Sequence, residues 1–355
     1  MYNTYLPPLT HVSPLTVIRR ELNLPRPGTV LVRLTQKVQG RDVVAECEGD
    51  PEYIFLDAAR GLGVDSDQVS RYMVKERNTW VEEGDVLAQR EGLSRRAIRA
   101  PGNGRIVTLS DGRILFEQTG DLFRMRAGFP GTVVETDGIQ GVILETVGTL
   151  IQGTWGNFGQ DFGVMRLVGE GPGDAMTTSR LDINLRGAIL VAGVCEGEEP
   201  LRQAAELSIR GLILGSMHAS LIPFVRKLAY PVVLTDGFGV KGINAPAFDL
   251  LSGNIGREAA VIAHSNDPYS ISRPEIVIPL PATSHVDIPD EIVLLEPGVR
   301  VRILRSEHTG EAGMVREILP EAMTYPSGIK ASSAVVDLGD SGVVTVPLAN
   351  LEVLQ

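Results

Sequence analysis

The chain reads as a β-rich multidomain protein carrying one α/β unit. Three observations predict this. Glycine (39) and proline (22) are plentiful while aromatic residues make up only 5% of the 355 residues, a balance that favours short strands joined by tight turns. Apolar and polar residues alternate in short segments over residues 28–180 and again over 296–355, the period of strands with one buried face. Between them, residues 181–270 alternate strand-like and helix-like segments, the pattern of a small parallel three-layer sheet. At about 100–200 residues per domain, the length allows two or three units.

Taken in order, residues 1–27 hold five prolines and read as an extended N-terminal arm. Thr29–Arg33 is the first strand, and residues 37–45 (KVQGRDVVA) supply a turn and a second. The same cadence returns in residues 80–88 (WVEEGDVLA), with glycine at a turn and alternating apolar residues after it. A second near-repeat follows. Residues 99–107 (RAPGNGRIV) are echoed by residues 126–134 (RAGFPGTVV), and each copy runs on to another apolar strand, Arg113–Glu117 or Gly141–Glu145. A segment used twice is a building unit of a barrel or sandwich, and not a catalytic signature.

This cadence, followed by Pro101-Gly102-Asn103-Gly104, resembles the barrel-sandwich hybrid fold of biotinyl and lipoyl carrier domains over roughly residues 27–150. The resemblance implies a barrel-sandwich-like β domain over 28–180. Carrier domains present a lysine at a hairpin tip. Here Lys37 and Lys75 are the only lysines before residue 227, and neither lies in such a tip, so no biotin or lipoate attachment and no other cofactor is expected. Within this domain, residues 56–75 read as a helical insert. Asp57 and Asp65 stand as N-caps of two short helices separated by Gly63. The segment resembles a bacterial helix-turn-helix, which would offer Ser66, Gln68, Ser70 and Arg71 to a groove. Asp65 and Asp67 would there meet phosphates, and the reading preferred is a helical insert packed through Ala58, Leu62, Val69 and Met73. The glycine-rich run Gln152–Gly159 lacks the Gly-Lys-Ser/Thr ending of a P-loop and reads as a tight loop closing the β domain.

In the α/β unit, Gly187–Gly193, Gly211–Gly215 and Tyr230–Thr235 are strands. Glu199–Ile209 and Ala219–Leu228 are helices, the latter with Pro223 in its first turn. Pro279, Pro281, Pro289 and Pro297 mark a linker over 271–295. After it, Pro297-Gly298-Val299-Arg300-Val301-Arg302-Ile303-Leu304 leads to Gly310-Glu311-Ala312-Gly313-Met314-Val315. This resembles the KOW motif of small SH3-like barrels over residues 296–355, with Val301, Ile303, Val315 and Ile318 filling the barrel.

Ligands of open α/β sheets bind beyond the carboxyl ends of the strands. Two loops qualify, and Ser216, His218, Ser220, Thr235, Asp236, Lys241 and Asn244 are the candidate anion-binding residues. The run Ser216-Met217-His218-Ala219-Ser220 also looks like the phosphohistidine loop of swivelling phosphotransfer domains, which would make His218 a phosphoryl acceptor. The sequence departs from that pattern in the first two residues, and no nucleotide-grasp domain accompanies it. No catalytic residue is assigned: there is no G-x-S-x-G elbow. The five histidines (11, 218, 264, 285 and 308) show no metal-ligand spacing, and Cys47 and Cys195 form no C-x-x-C, so no metal site is predicted.

A formal net charge of −11 opposes nucleic-acid binding unless basic residues are segregated. The C-terminal segment from Glu296 holds five basic against eight acidic residues. Arg300 and Arg302 alternate with core positions and are expected to face outward, with Arg305 near, as a partner-contact or nucleic-acid patch. Two distant cysteines, no run of about 18 apolar residues and no signal-like segment point to a cytoplasmic chain outside the membrane. The expected function is a noncatalytic binding or scaffold protein acting through protein partners. The alternatives are a KOW-type nucleic-acid-associated factor in transcription or translation, and a small-anion-binding or phosphotransfer protein.

Overall fold

The computed structural model describes residues 6–91, 95–264, 273–281 and 292–355. Residues 1–5 of the expected arm, and residues 271–272 and 282–291 of the expected linker with His285 and Pro289, lie outside the described residues.

The two sequence echoes occupy equivalent places in two units. In one, Lys37–Val38 pairs antiparallel with the start of Gly131–Thr136, Val38 opposite Gly131 and Lys37 opposite Thr132. In the other, Trp80–Val81 pairs with the start of Gly104–Ser110, Val81 opposite Gly104 and Trp80 opposite Arg105. The turns match too. The Ala127 amide donates to the Asp42 carbonyl (3.0 Å) and the Ala100 amide to the Asp85 carbonyl (2.9 Å).

The units are nested and not in tandem. Strands Val43–Glu48 and Leu122–Arg126 of the outer unit pair with each other, and the whole inner unit is inserted between them. The Gly49 amide closes the neck on the Asp121 carbonyl (3.0 Å). Separate cores follow. Val38, Val44, Phe129, Val133 and Leu144 pack the outer unit. Val81, Leu87, Ile106, Ile114 and Phe116 pack the inner one. The span 28–180 therefore differs from the single domain expected.

The helical segment packs into the inner core through Ala58, Leu62 and Val69. The Asp57 carboxylate accepts the Arg60 amide (3.0 Å) and starts the helix Ala58–Leu62. Gly63, at φ 67°, ends it in the left-handed conformation that glycine adopts at least cost. Ser66–Tyr72 is a 3-10 helix, and Asp65 makes no side-chain cap. Its side chains at i and i+3 eclipse, so the second helix of a helix-turn-helix is not formed.

The expected arm is a sheet strand. Val12–Asn23 pairs with Gly141–Gln152, from Asn23 opposite Gly141 to Val12 opposite Ile151. A bulge between Gly148 and Leu150 accommodates Pro14, which cannot donate to a ladder. Part of the expected linker is a strand as well: Glu275–Pro279 pairs with Gly141–Gln152 on one side and Glu258–Ile262 on the other. From there the sheet continues through Gln160–Leu167 into the parallel strands Ile189–Cys195, Gly211–Met217 and Val232–Phe238. Among the described residues this sheet has eleven strands, and it crosses the sequence boundaries at 27, 180 and 271.

Apolar runs buried on both faces make the parallel strands. Helix Glu198–Glu206 covers one face through Leu201 and Ala204, and helix Ala245–Gly253 the other through Ala247 and Leu251. The run Gln152–Gly159 belongs here and does not close the β domain. Trp155–Gly156 pairs with Val232–Phe238 at the edge of the parallel sheet.

The C-terminal residues form a six-stranded sheet in the order Leu9–Thr10, Leu351–Leu354, Arg300–Ile303, Ala312–Ile318, Ser333–Asp337 and Val343–Pro347. Leu9–Thr10 lies parallel to Leu351–Leu354, so the N-terminal segment completes the C-terminal unit. Val301, Ile303, Val315, Val336, Leu351 and Val353 fill its core. Among the described residues no helix is long and apolar enough to cross a membrane.

Candidate functional site

The strand ends of the parallel sheet carry five of the seven candidate anion-binding residues within one hydrogen-bonded neighbourhood. Thr235 and Asp236 lie near the end of Val232–Phe238. Asn244 caps helix Ala245–Gly253: its Oδ1 accepts the Ala247 amide at 3.1 Å, and its Nδ2 donates to the Asp236 carboxylate at 3.1 Å. Asp236 Oδ2 also accepts the Asn244 amide (2.9 Å) and the Thr235 hydroxyl (2.7 Å). The Ser216 hydroxyl, at the end of the neighbouring strand, donates to the Lys241 carbonyl (2.6 Å) and the Gly239 carbonyl (3.1 Å). The Lys241 ammonium donates to the Thr309 carbonyl of the C-terminal unit. His218 and Ser220 stand apart from this network and bond to each other, Nδ1 to Oγ at 2.7 Å, at the exposed start of the short helix Ala219–Leu221.

Arg302 completes the neighbourhood. Its Nη1 donates to Asp236 Oδ1 (3.0 Å) and the Thr235 carbonyl (2.9 Å). Its Nε and Nη2 reach Glu352 Oε2 at 3.1 and 2.5 Å. Glu352 Oε1 in turn accepts the Thr10 hydroxyl (2.5 Å) and Arg273 Nη1 (3.0 Å). The side chains of Arg302, Asp236 and Glu352 are 3%, 1% and 5% exposed, so this is a buried ion network. The expectation that Arg302 faces solvent is corrected. It does point away from the core of the C-terminal unit, but that side is packed on the strand ends of the α/β unit. Arg300 and Arg305 are exposed as expected.

Burial works against the Arg302 charge, and Glu352 and Asp236 outweigh it, holding the guanidinium above its ordinary range. Burial likewise pushes the Glu352 carboxyl up. The Arg302 charge, with hydrogen bonds from Thr10, Arg302 and Arg273, more than reverses this and holds it below the usual carboxylate range.

Close packing of glycine backbones fills the rest of the strand-end crevice. A Cβ on Gly193 would stand 2.4 Å from the Pro172 carbonyl oxygen, and one on Gly215 2.3 Å from the Gly242 carbonyl carbon. The loops carrying Pro172 and Gly242 thus lie directly on the central strands, where nucleotides sit in open sheets of this kind.

The sequence reading missed Glu352, Thr10 and Arg273. A signal was present for the first: Glu352 is a lone charge between Leu351 and Val353, as Arg302 is between Val301 and Ile303, and the two are directly opposite in register. Thr10 is brought in by the parallel pairing of Leu9–Thr10 with Leu351–Leu354, and Arg273 lies just before the strand Glu275–Pro279; both come from segments far from Glu352 in the chain and carry no local signature.

A second concavity, about 530 Å³, opens on the inner unit and is lined by Asp57, Arg60, Asp65, Gln68, Tyr72 and Arg90. Arg90 stands directly opposite Arg96 in its hairpin and donates to the Gly63 carbonyl (2.6 Å). Among the described residues no cluster of three or more His, Cys, Asp or Glu side chains is placed to hold a metal ion. In comparison with known proteins, the chain matches no family model and no curated protein.

Proposed function

We propose that the chain is a noncatalytic binding or scaffold protein that works through protein–protein contacts. In this reading the two nested units are barrel-sandwich hybrids used structurally, and the C-terminal unit is a KOW-type SH3-like barrel. One observation carries the proposal: the polar groups at the strand ends are engaged by the protein itself. Asp236 is held by Arg302 and Asn244, Lys241 by the Thr309 carbonyl, and Ser216 by two backbone carbonyls. A catalytic or anion-binding crevice needs such groups turned toward a ligand. Here Asp236 and Lys241 join the α/β unit to the C-terminal unit, and Ser216 and Asn244 are bonded within the α/β unit.

Two measurements test this. Full-length tagged chain recovered from its host should bring down a defined protein in stoichiometric amount. Titration calorimetry with inorganic phosphate should give no saturable heat. Saturable phosphate binding that disappears in His218→Ala would replace the docking reading with the anion-binding one.

A nucleic-acid-associated role is favoured by one feature of the inner unit. Arg90 and Arg96 are like charges directly opposite on adjacent strands, and Arg60 lines the same concavity as Arg90. Such a pair is destabilising in isolation and would be relieved by a polyanion. The excess of acidic residues in the whole chain weighs against this second reading.

A further inference from the structure

The outer face of the inner unit's four-stranded sheet carries large aromatic residues in water. The sheet runs Glu52–Asp57, Arg113–Gln118, Gly104–Ser110, Trp80–Val81. Its inner side packs Ile114, Phe116, Ile106 and Val81 into the core. On its outer side Phe55 is 71% exposed, Trp80 58% and Tyr53 56%. Pairing sets three of the outer residues and a charge pair in order. Tyr53 is opposite Glu117, Glu117 opposite Arg105, and Arg105 opposite Trp80. One row across all four strands therefore reads aromatic, acid, base, aromatic. Phe55 and Leu115, directly opposite each other, form the beginning of the next row. Arg105 and Glu117 make a two-pronged ion pair at 3.0 and 3.1 Å.

From this geometry we infer that the face is a self-association surface whose occupant is the same face of a second copy of the chain. A two-fold axis along the strands, lying between two stacked sheets, reverses the row. It sets Trp80 against the other copy's tyrosine and Arg105 against the other copy's glutamate, so the row is complementary to itself in charge and in apolar character. Stacked sheets lie about 10 Å apart, a gap that aromatic side chains from both faces fill.

The size fits a weak dimer. Four strands about 4.8 Å apart and six residues at about 3.4 Å each give a footprint of roughly 19 by 20 Å. Two such faces cover roughly 760 Å² in all, less than the about 1,200 Å² of a stable interface and in the range of a weak, transient association. A single-stranded nucleic acid would also stack on exposed aromatics, but it requires a basic groove. Here Arg105 is already neutralised by Glu117. The inference names one contact within the docking reading and can fail without it: a monomeric chain that still captures a stoichiometric protein removes the second copy and leaves the reading standing.

The test is sedimentation velocity of the full-length chain between about 1 and 100 µM, the range of a weak reversible dimer. The weight-average mass should rise from 38.2 kDa toward twice that value. Tryptophan emission should shift to the blue over the same range as Trp80 leaves water. Phe55→Ser and Trp80→Ser should stay monomeric with unchanged circular dichroism. Arg105→Glu should also stay monomeric, and the swap Arg105→Glu/Glu117→Arg, which restores the pair within and between copies, should recover the dimer. A wild-type chain that remains monomeric throughout overturns the inference. So does a dimer indifferent to Phe55 and Trp80, or saturable binding of a single-stranded oligouridylate by the monomer that these two variants abolish.

Discussion

Arg302 shows how far alternation carries an argument at the residue scale. Val301 and Ile303 point into the core of the C-terminal unit and Arg302 points the other way, as strand geometry requires. The other way is not water, because Asp236 and Glu352 lie there. Removing Arg302 leaves the buried Asp236 carboxylate without its cation and Glu352 with Arg273 alone. Arg302→Met is therefore expected to cost about 3–5 kcal/mol of stability, read from the midpoint of urea unfolding.

Two pH effects follow from neighbouring groups. Glu352 has its folded pKa held below the unfolded one by Arg302. Its contribution is complete above about pH 4.3 and is lost as pH falls through the lower folded value. His11 has a buried Nδ1 without a hydrogen-bond partner. Burial, then the charges of Arg20 and Arg273, lower its pKa against the opposing pull of Glu275. The unfolded chain takes up that proton first, so stability declines as pH falls from about 6.5. Urea midpoints measured from pH 7 to pH 3 should show both declines. Glu352→Gln should flatten only the more acidic one and His11→Asn only the other.

At the scale of elements, the repeated cadence was legible because a glycine turn followed by a short apolar strand has few other structural meanings. Which copy pairs with which was not legible, since nearest-neighbour pairing and nesting use the same strands. The neck at Gly49 and Asp121 brings the two ends of the inner unit together, and its core is its own. A chain with residues 51–119 excised and Asp50 joined to Gly120 through a short Gly-Ser turn should still fold around Val44, Phe129 and Leu144. A cooperative thermal transition and the retained sheet signal in circular dichroism would check it. Loss of both would mean that the outer unit depends on the inner. The helical segment was legible at its start, where Asp57 caps and Gly63 stops. Its second half, with Asp65 making no cap bond, relaxed into a 3-10 helix.

For the whole molecule, the eleven-stranded sheet and the Asp236–Arg302–Glu352–Arg273 network join regions that composition separates. Calorimetry should show the C-terminal unit melting together with the α/β unit in the wild type, and earlier and separately in Arg302→Met. The acidic balance has its own consequence. Retention on immobilised RNA should be weak, with a log–log salt slope near zero; a slope of several units would support the nucleic-acid reading instead.

The sequence by itself determined the local elements: the β-rich character, the strand–helix alternation after residue 187, and the apolar positions of the C-terminal strands. These follow from backbone propensity and side-chain period, which act over a few residues. Only the tertiary structure decided that residues 12–23 and 275–279 join one sheet, that the repeats are nested, and that Asp236 and Arg302 meet. Pairing between distant segments depends on which buried face and which backbone edge remain unfilled, and that is a property of the assembled chain.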